Sequence, residues 1–291
     1  MKNFNSLPKV LPIKKIIIET DKIRTFVFEA NGNGGDSRGG GGSPKCGDSK
    51  PGQFVMMWIP GVDEKPFSIA YDDGKEFWLT IADVGAATDE LFKLKVGDLV
   101  GIRGPFGTFY KFEKGDRLAL LAGGYGAAPM FNVAMNAVKI GCKVEFIVGA
   151  RSKNLLLYKK QVGNLAKVAG KYKGKITYHA ATNDGSYGYK GFNTDVLEKI
   201  LAKQKIDKVF ACGPEIMMEK AVLLAKKYGA KSQISLERYM KCGFGVCGQC
   251  CIDGSGVRCC KEGPVFDGEV ALKFSEFGKY HRDSVGRKVA W

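Results

Sequence analysis

The chain has 291 residues, 45% of them apolar and 26% charged, and carries a net charge of +15. These proportions suit an ordinary globular protein of two or three domains and exclude a disordered chain. No apolar run approaches the roughly 20 residues that span a bilayer. Prolines and lysines interrupt MKNFNSLPKVLPIKKIIIET where a signal peptide needs unbroken apolar sequence, so a cytoplasmic protein with no membrane partner is expected. The lysines are spread through the length, as in KYKGKITYH and LAKKYGAK, with no arginine-rich arm. That pattern reads as a solvated surface and not as a nucleic-acid site.

In chain order, KKIIIET, IRTFVFEA, GQFVMMWIPG, PFSIAYDDG and EFWLTIADVG are β-branched and aromatic runs punctuated by turns, which predicts an N-terminal antiparallel barrel or sandwich. Between the second and third lies NGNGGDSRGGGGSPKCGDSK, a low-complexity insertion expected at 31–50 to be a flexible loop; its Cys46 receives no role. After GDLVGIRGPFG the pattern changes. DRLALLAGG, KVEFIVGARS, KITYHAA and DKVFACGP are expected strands, and APMFNVAMNAVKIG, TDVLEKILAKQ and EIMMEKAVLLAKKYG are expected helices. The alternation predicts a doubly wound α/β domain with ligands at the carboxyl ends of its strands. The expected domains are therefore 1–113, 114–230 with a junction near Glu113–Asp116, and a small third module at 231–291.

Three stretches carry chemistry. LLAGGYGAAPM places Gly123, Gly124 and Gly126 between a strand and a helix, where backbone can approach a diphosphate, although packing alone also explains such glycines. VFACGPEIMM brings Cys212, Gly213 and Pro214 to a later strand end, across the same crevice. In EKPFSIAYDDG, Phe67 and Ser68 can approach one bound ring from a strand, Lys65 can meet a phosphate, and Thr88 opens a helical segment with free amides; taken alone, these residues are as well read as core and surface. The end of the chain is the densest signal. YMKCGFGVCGQCCIDGSGVRCCKEGPVF spaces Cys242, Cys247 and Cys250 as Cys-x4-Cys-x2-Cys, with later cysteines to complete four thiolates. That is the plant-type [2Fe–2S] spacing. Zinc is the alternative, though its ribbons more often use paired Cys-x2-Cys knuckles.

Together, LERYMKCGFGVCGQC, CCKEGPVF, ARSKNLLLY, NDGSYGYKG and KPFS resemble the ferredoxin–NADP reductase superfamily, and within it the electron-transfer subunits of class 1B dihydroorotate dehydrogenase. The resemblance covers nearly the whole chain. It implies that the N-terminal β-barrel binds FAD, that the α/β domain binds NAD, with NADP left open by Arg151 and Ser152, and that the C-terminal module holds a [2Fe–2S] cluster. KPFS matches the flavin motif Arg-Pro-x-Ser, which assigns Lys65 to the FAD diphosphate, Phe67 to the ring and Ser68 to flavin N5, with Pro66 also in the cofactor site. Lysine keeps the charge of the usual arginine but not its fork. The resemblance further implies FAD contacts at Thr80, Ile81, Ala82, Ala87 and Thr88, nicotinamide nucleotide contacts at Gly123, Gly124, Gly126, Gly213 and Pro214, and Cys212 beside the reacting nicotinamide. It selects Cys260 as the fourth cluster ligand, three residues before Gly263, and strand alternation is expected to aim Cys259 the other way. The partner implied is an FMN-containing catalytic subunit oxidising dihydroorotate in pyrimidine (UMP) biosynthesis, in a heterotetramer with two of each chain. Two other readings stand beside it: the subunit of a ferredoxin, sulfide or hydrogenase complex, and a zinc-stabilised basic binding module without redox activity.

Overall fold

The computed structural model describes residues 7–29 and 49–290. All but the last two residues of the expected insertion, Cys46 included, lie outside the described residues. The first sheet contains β1 (Lys9–Pro12), β2 (Lys15–Thr20), β3 (Ile23–Glu29), β4 (Phe54–Ile59), β5 (Asp63–Asp72), β6 (Glu76–Ala82) and β7 (Leu99–Phe106), with the short helix α1 (Ala86–Leu91) before β7. Its order is β1-β7-β4-β5-β6-β3-β2, and the strands curl into an antiparallel half-barrel. Alternation explains the curl's interior. Leu11, Phe26, Phe28, Val55, Met57, Ile59, Leu79 and Ile81 fill one apolar core. Strand β4 is buried on its second face too, where Phe54 and Met56 belong to another core shared with the C-terminal segment. That double burial is why FVMMWI is continuously apolar.

The chain passes to the second sheet between Phe106 and Arg117. There follow β8 (Arg117–Gly123), α2 (Ala127–Lys139), β9 (Lys143–Ala150), α3 (Lys159–Ala169), β10 (Lys175–Thr182), β11 (Tyr189–Lys190), α4 (Asn193–Lys203), β12 (Lys208–Cys212), α5 (Glu215–Lys227) and β13 (Lys231–Ser235). The order is β11-β10-β9-β8-β12-β13 followed by β14 (Val265–Asp267), parallel throughout until that last strand. Strand order reverses between β8 and β12, which opens a crevice at their carboxyl ends. Helix α2 packs eleven buried residues against the sheet and the half-barrel, so the two sheets share it as a floor.

The C-terminal segment departs from the expected boundary. β13 pairs in parallel with β12, and β14 (Val265–Asp267) returns antiparallel to β13, so the nucleotide sheet extends past residue 230 and is completed from the cysteine segment. Between them sits α6 (Cys259–Glu262), and after them α7 (Gly268–Ala271) and a hairpin of β15 (Tyr280–Arg282) and β16 (Lys288–Ala290). The expected strand around Cys259 and Cys260 is instead the helical turn α6. Among the described residues, no helix is long and apolar enough to cross a membrane.

Candidate functional site: a cavity between two sheets beside a four-cysteine loop

One cavity of about 990 Å³, counting its open mouth, lies where the half-barrel meets the crevice. Pro66, Phe67 and Ser68 of β5, Thr80, Ile81 and Ala82 of β6, and Thr88 of α1 form the barrel wall. Gly126, Cys212 and Gly213 form the facing wall. Of the expected residues, Lys65, Ala87, Gly123, Gly124 and Pro214 lie off the cavity surface. Lys65 points away to Asp63 at 2.5 Å and to the Tyr239 hydroxyl at 3.2 Å. Its pKa is raised: burial opposes the charge, but the Asp63 and Tyr239 contacts outweigh it. Thr88 is the third residue of α1 and not its start. Its hydroxyl accepts from the Val84 and Gly85 amides at 2.9 and 3.0 Å, so it caps the helix and leaves the first-turn amides of Ala86 and Ala87 as donors.

The crevice wall shows why glycine recurs there. A β-carbon on Gly126 would come within 2.3 Å of the Cys212 carbonyl oxygen, so the turns after β8 and β12 touch backbone to backbone. Gly123 meets Pro214 in the same contact. Cys212 remains a protonated thiol at neutral pH, because burial, with the Glu237 charge, pushes it up to about 12.

Sequence reasoning missed the polar pair at the mouth of this cavity. Tyr125 donates to Glu237 Oε2 at 3.0 Å across the mouth, joining the turn after β8 to that after β13. Protein surrounds the Glu237 carboxyl on the cavity side while the mouth leaves it open to solvent, and this confinement raises its pKa against the Tyr125 hydrogen bond. The signal available was LERYM itself, an acid just beyond a strand end. Next to it, Arg238 is buried and pairs with both Glu215 and Glu276, joining the start of α5, the cysteine segment and the tail.

The four expected ligands gather beside this cavity. Cys242 lies beside Cys247 and Cys250 beside Cys260, with the Val246 amide donating to Cys242 Sγ and the Cys260 amide to Cys250 Sγ, each at 3.3 Å. Burial disfavours the Cys242 thiolate, yet the amides of Cys247, Phe244 and Val246 lower it to about 6. The Cys260 thiol, then its amide, lowers Cys250 to about 7 against burial. Amide-cradled thiolates are a donor set for iron. Among the described residues, no three His, Cys, Asp or Glu side chains meet closely enough to ligate one ion. The Cys-x4-Cys-x2-Cys spacing with a further thiol fits a [2Fe–2S] cluster better than the paired Cys-x2-Cys knuckles usual for zinc. Cys259 instead sits on the other side of α6, fully buried, with its Sγ 3.4 Å from the Leu236 carbonyl. Cys251 is half-buried and bridges to Arg258 through backbone.

Loop and cavity share a wall. Gly243 has a φ of 80°, and a β-carbon there would strike Met56 at 2.5 Å, so the loop lies directly on the outer face of β4. Aromatic rings run between the two: Phe54, on the cavity surface, is 5.9 Å from Phe106, which is 6.4 Å from Phe244 in the loop.

Comparison with known proteins agrees with this geometry. The family described as an oxidoreductase NAD-binding domain matches residues 120–222. The iron-sulfur cluster binding domain of dihydroorotate dehydrogenase B matches residues 237–270. A Methanocaldococcus jannaschii protein named a probable dihydroorotate dehydrogenase B (NAD(+)) electron transfer subunit is 40% identical over 282 residues, 97% of this chain and 98% of that protein. A Methanocella arvoryzae protein of the same name is 42% identical, covering 95% of this chain and 96% of its own. The solved structure of an NADH-dependent reduced ferredoxin-NADP oxidoreductase superposes with a TM-score of 0.75 at 27% identity, over 90% of this chain and 89% of that one. The cytochrome b5 reductase domain of Ulva prolifera nitrate reductase, at 17% identity and a TM-score of 0.58, shares the fold. The chain belongs to the family of dihydroorotate dehydrogenase B electron transfer subunits.

Proposed function

We propose that this chain serves as the electron-transfer subunit for a partner that oxidises dihydroorotate on FMN, in an assembly of two catalytic and two electron-transfer chains, with NAD+ as the final acceptor. The carrying observation is the shared wall: the cavity between β5 and the β8–β12 crevice touches, through Phe54 and Met56, the loop that gathers four thiols. When bound, FAD supplies exchange between a two-electron hydride and single electrons, and a [2Fe–2S] cluster supplies single-electron exchange.

The chain's own part is to bind and orient. Pro66, Phe67 and Ser68 form the seat for a flavin ring, Thr80, Ile81 and Ala82 its side, and the first-turn amides of Ala86 and Ala87, ordered by the Thr88 cap, with Lys65 released from Asp63, the diphosphate end. Gly123, Gly124, Gly126, Gly213 and Pro214 shape the nicotinamide nucleotide crevice, where the neutral thiol of Cys212 would stand beside the reacting ring without adding charge. Glu237 and Tyr125 stand at the mouth to meet polar groups of that nucleotide. Cys242, Cys247, Cys250 and Cys260 hold the cluster. We assign residues 1–113 to FAD, 114–230 to the nucleotide and 231–291 to the cluster, the last two sharing one sheet, and place the protein in the cytoplasm.

The test is copurification with the catalytic subunit. The complex should contain FAD, FMN, iron and acid-labile sulfide, and should reduce NAD+ when dihydroorotate is added. A colourless chain with stoichiometric zinc, or a complex that reduces ferredoxin but ignores dihydroorotate, would overturn the assignment. Flavin reduction by NADH against NADPH checks the nucleotide.

A further inference from the structure

We propose that Arg103 is a positioning residue that straps the cysteine loop to the flavin wall and, through its charge, raises the reduction potential of the cluster held there. The proposal rests on the cluster reading above. It starts from β7. Arg103 pairs in register with Met56 of β4, on the outer barrel face where the loop lies. Its guanidinium crosses β4 to Glu64 of β5, with Nε and Nη2 at 2.6 and 2.5 Å from the two carboxylate oxygens. Nη2 also donates to the carbonyl of Cys242 at 3.2 Å. Cζ stands 5.9 Å from the Phe106 ring and 5.6 Å from that of Phe244, the rings between cavity and loop.

This one side chain therefore contacts the flavin-side strand, one residue before Lys65, and the backbone of a cluster ligand. Two properties follow. The planar fork fixes where Cys242 stands relative to β5, a geometry lysine cannot reproduce. The charge acts as well. Arg103 is 7% exposed, so solvent screens it weakly, and each electron gained by the cluster adds negative charge that a neighbouring guanidinium stabilises. Glu64 opposes that stabilisation, which gives the two residues opposite signs.

The experiment uses the full-length chain with its cluster, read by iron and sulfide content and by a potentiometric titration followed by electron paramagnetic resonance. R103Q should shift the midpoint potential down, and E64Q should shift it up. R103K should keep it near the wild-type value while broadening the reduced-state signal and speeding iron loss to a chelator, because charge is kept and the fork is not. E64Q leaves Arg103 and its bond to Cys242 in place, so it decides the matter if R103Q does not accumulate. An unchanged potential in E64Q, or shifts of one sign in both E64Q and R103Q, overturns the proposal while leaving the cluster reading intact. A wild-type chain without acid-labile sulfide overturns both.

Discussion

Adjacent in sequence, Cys259 and Cys260 differ in what their sulfurs touch, because one helical step rotates them onto different sides of α6. Cys260 meets Cys250, while Cys259 faces the Leu236 carbonyl under the fold. Cys260→Ser should therefore lose iron and sulfide, whereas Cys259→Ser should keep both and lose about 1 kcal/mol or less of stability, since a hydroxyl can also donate to that carbonyl. Metal content per chain and thermal denaturation separate the two. Glu237 gives a pH signature. Its folded pKa is raised above the ordinary 4.5, so the folded state holds the proton longer than the unfolded one, and stability falls as pH rises between the two values. In the cofactor-free chain, Glu237→Gln should gain Tm relative to wild type as pH climbs above about 4.5, and should show no difference below it. At this scale the spacing of the cysteines was legible, because ligand loops are local. Glu237, Tyr125 and Arg103 were not, because their partners lie far away in sequence, and nothing in a linear reading joins Arg103 to Glu64 or Cys242.

Elements with strong periodicity could be read directly: β8, β9, β10 and β12, with α2, α4 and α5, stand where the apolar runs place them. Those that escaped are the weakly apolar ones. α3 is lysine-rich with a central Gly163 and buries only Val162, Leu165 and Ala169; β13 reads KSQIS; and β14 has three residues. Each depends on a neighbour for its pairing or burial, so propensity alone gives no signal. The turns after β8 and β12 carry an element-scale prediction. Gly126→Ala would force the 2.3 Å contact with Cys212 apart, and should cost about 2 kcal/mol or more while weakening NADH binding to the FAD-loaded chain. Denaturant titration and NADH affinity check the two effects. A substitution neutral in both would show that the backbones can separate.

Across the whole molecule, the buried network of Arg238, Glu215 and Glu276 joins three regions distant in sequence: the helix after the crevice, the cysteine segment and the tail. Each carboxylate has a further amide donor, from Gly278 and Asp253. Arg238→Met removes the cation and strands two buried carboxylates, which should cost roughly 3–5 kcal/mol. Differential scanning calorimetry should then show a clear fall in Tm, and Arg238→Lys should recover only part of it.

The pairing of Ser235 with Val265 across the edge of the nucleotide sheet has a separate consequence. The whole metal-bearing stretch leaves and rejoins that sheet at facing residues, so it is a closed excursion whose ends are clamped by backbone hydrogen bonds. Oxidative destruction of its contents would loosen the excursion without letting its ends drift apart, since the closing entropy is already borne by the sheet. Reassembly would then begin from thiols still held near one another.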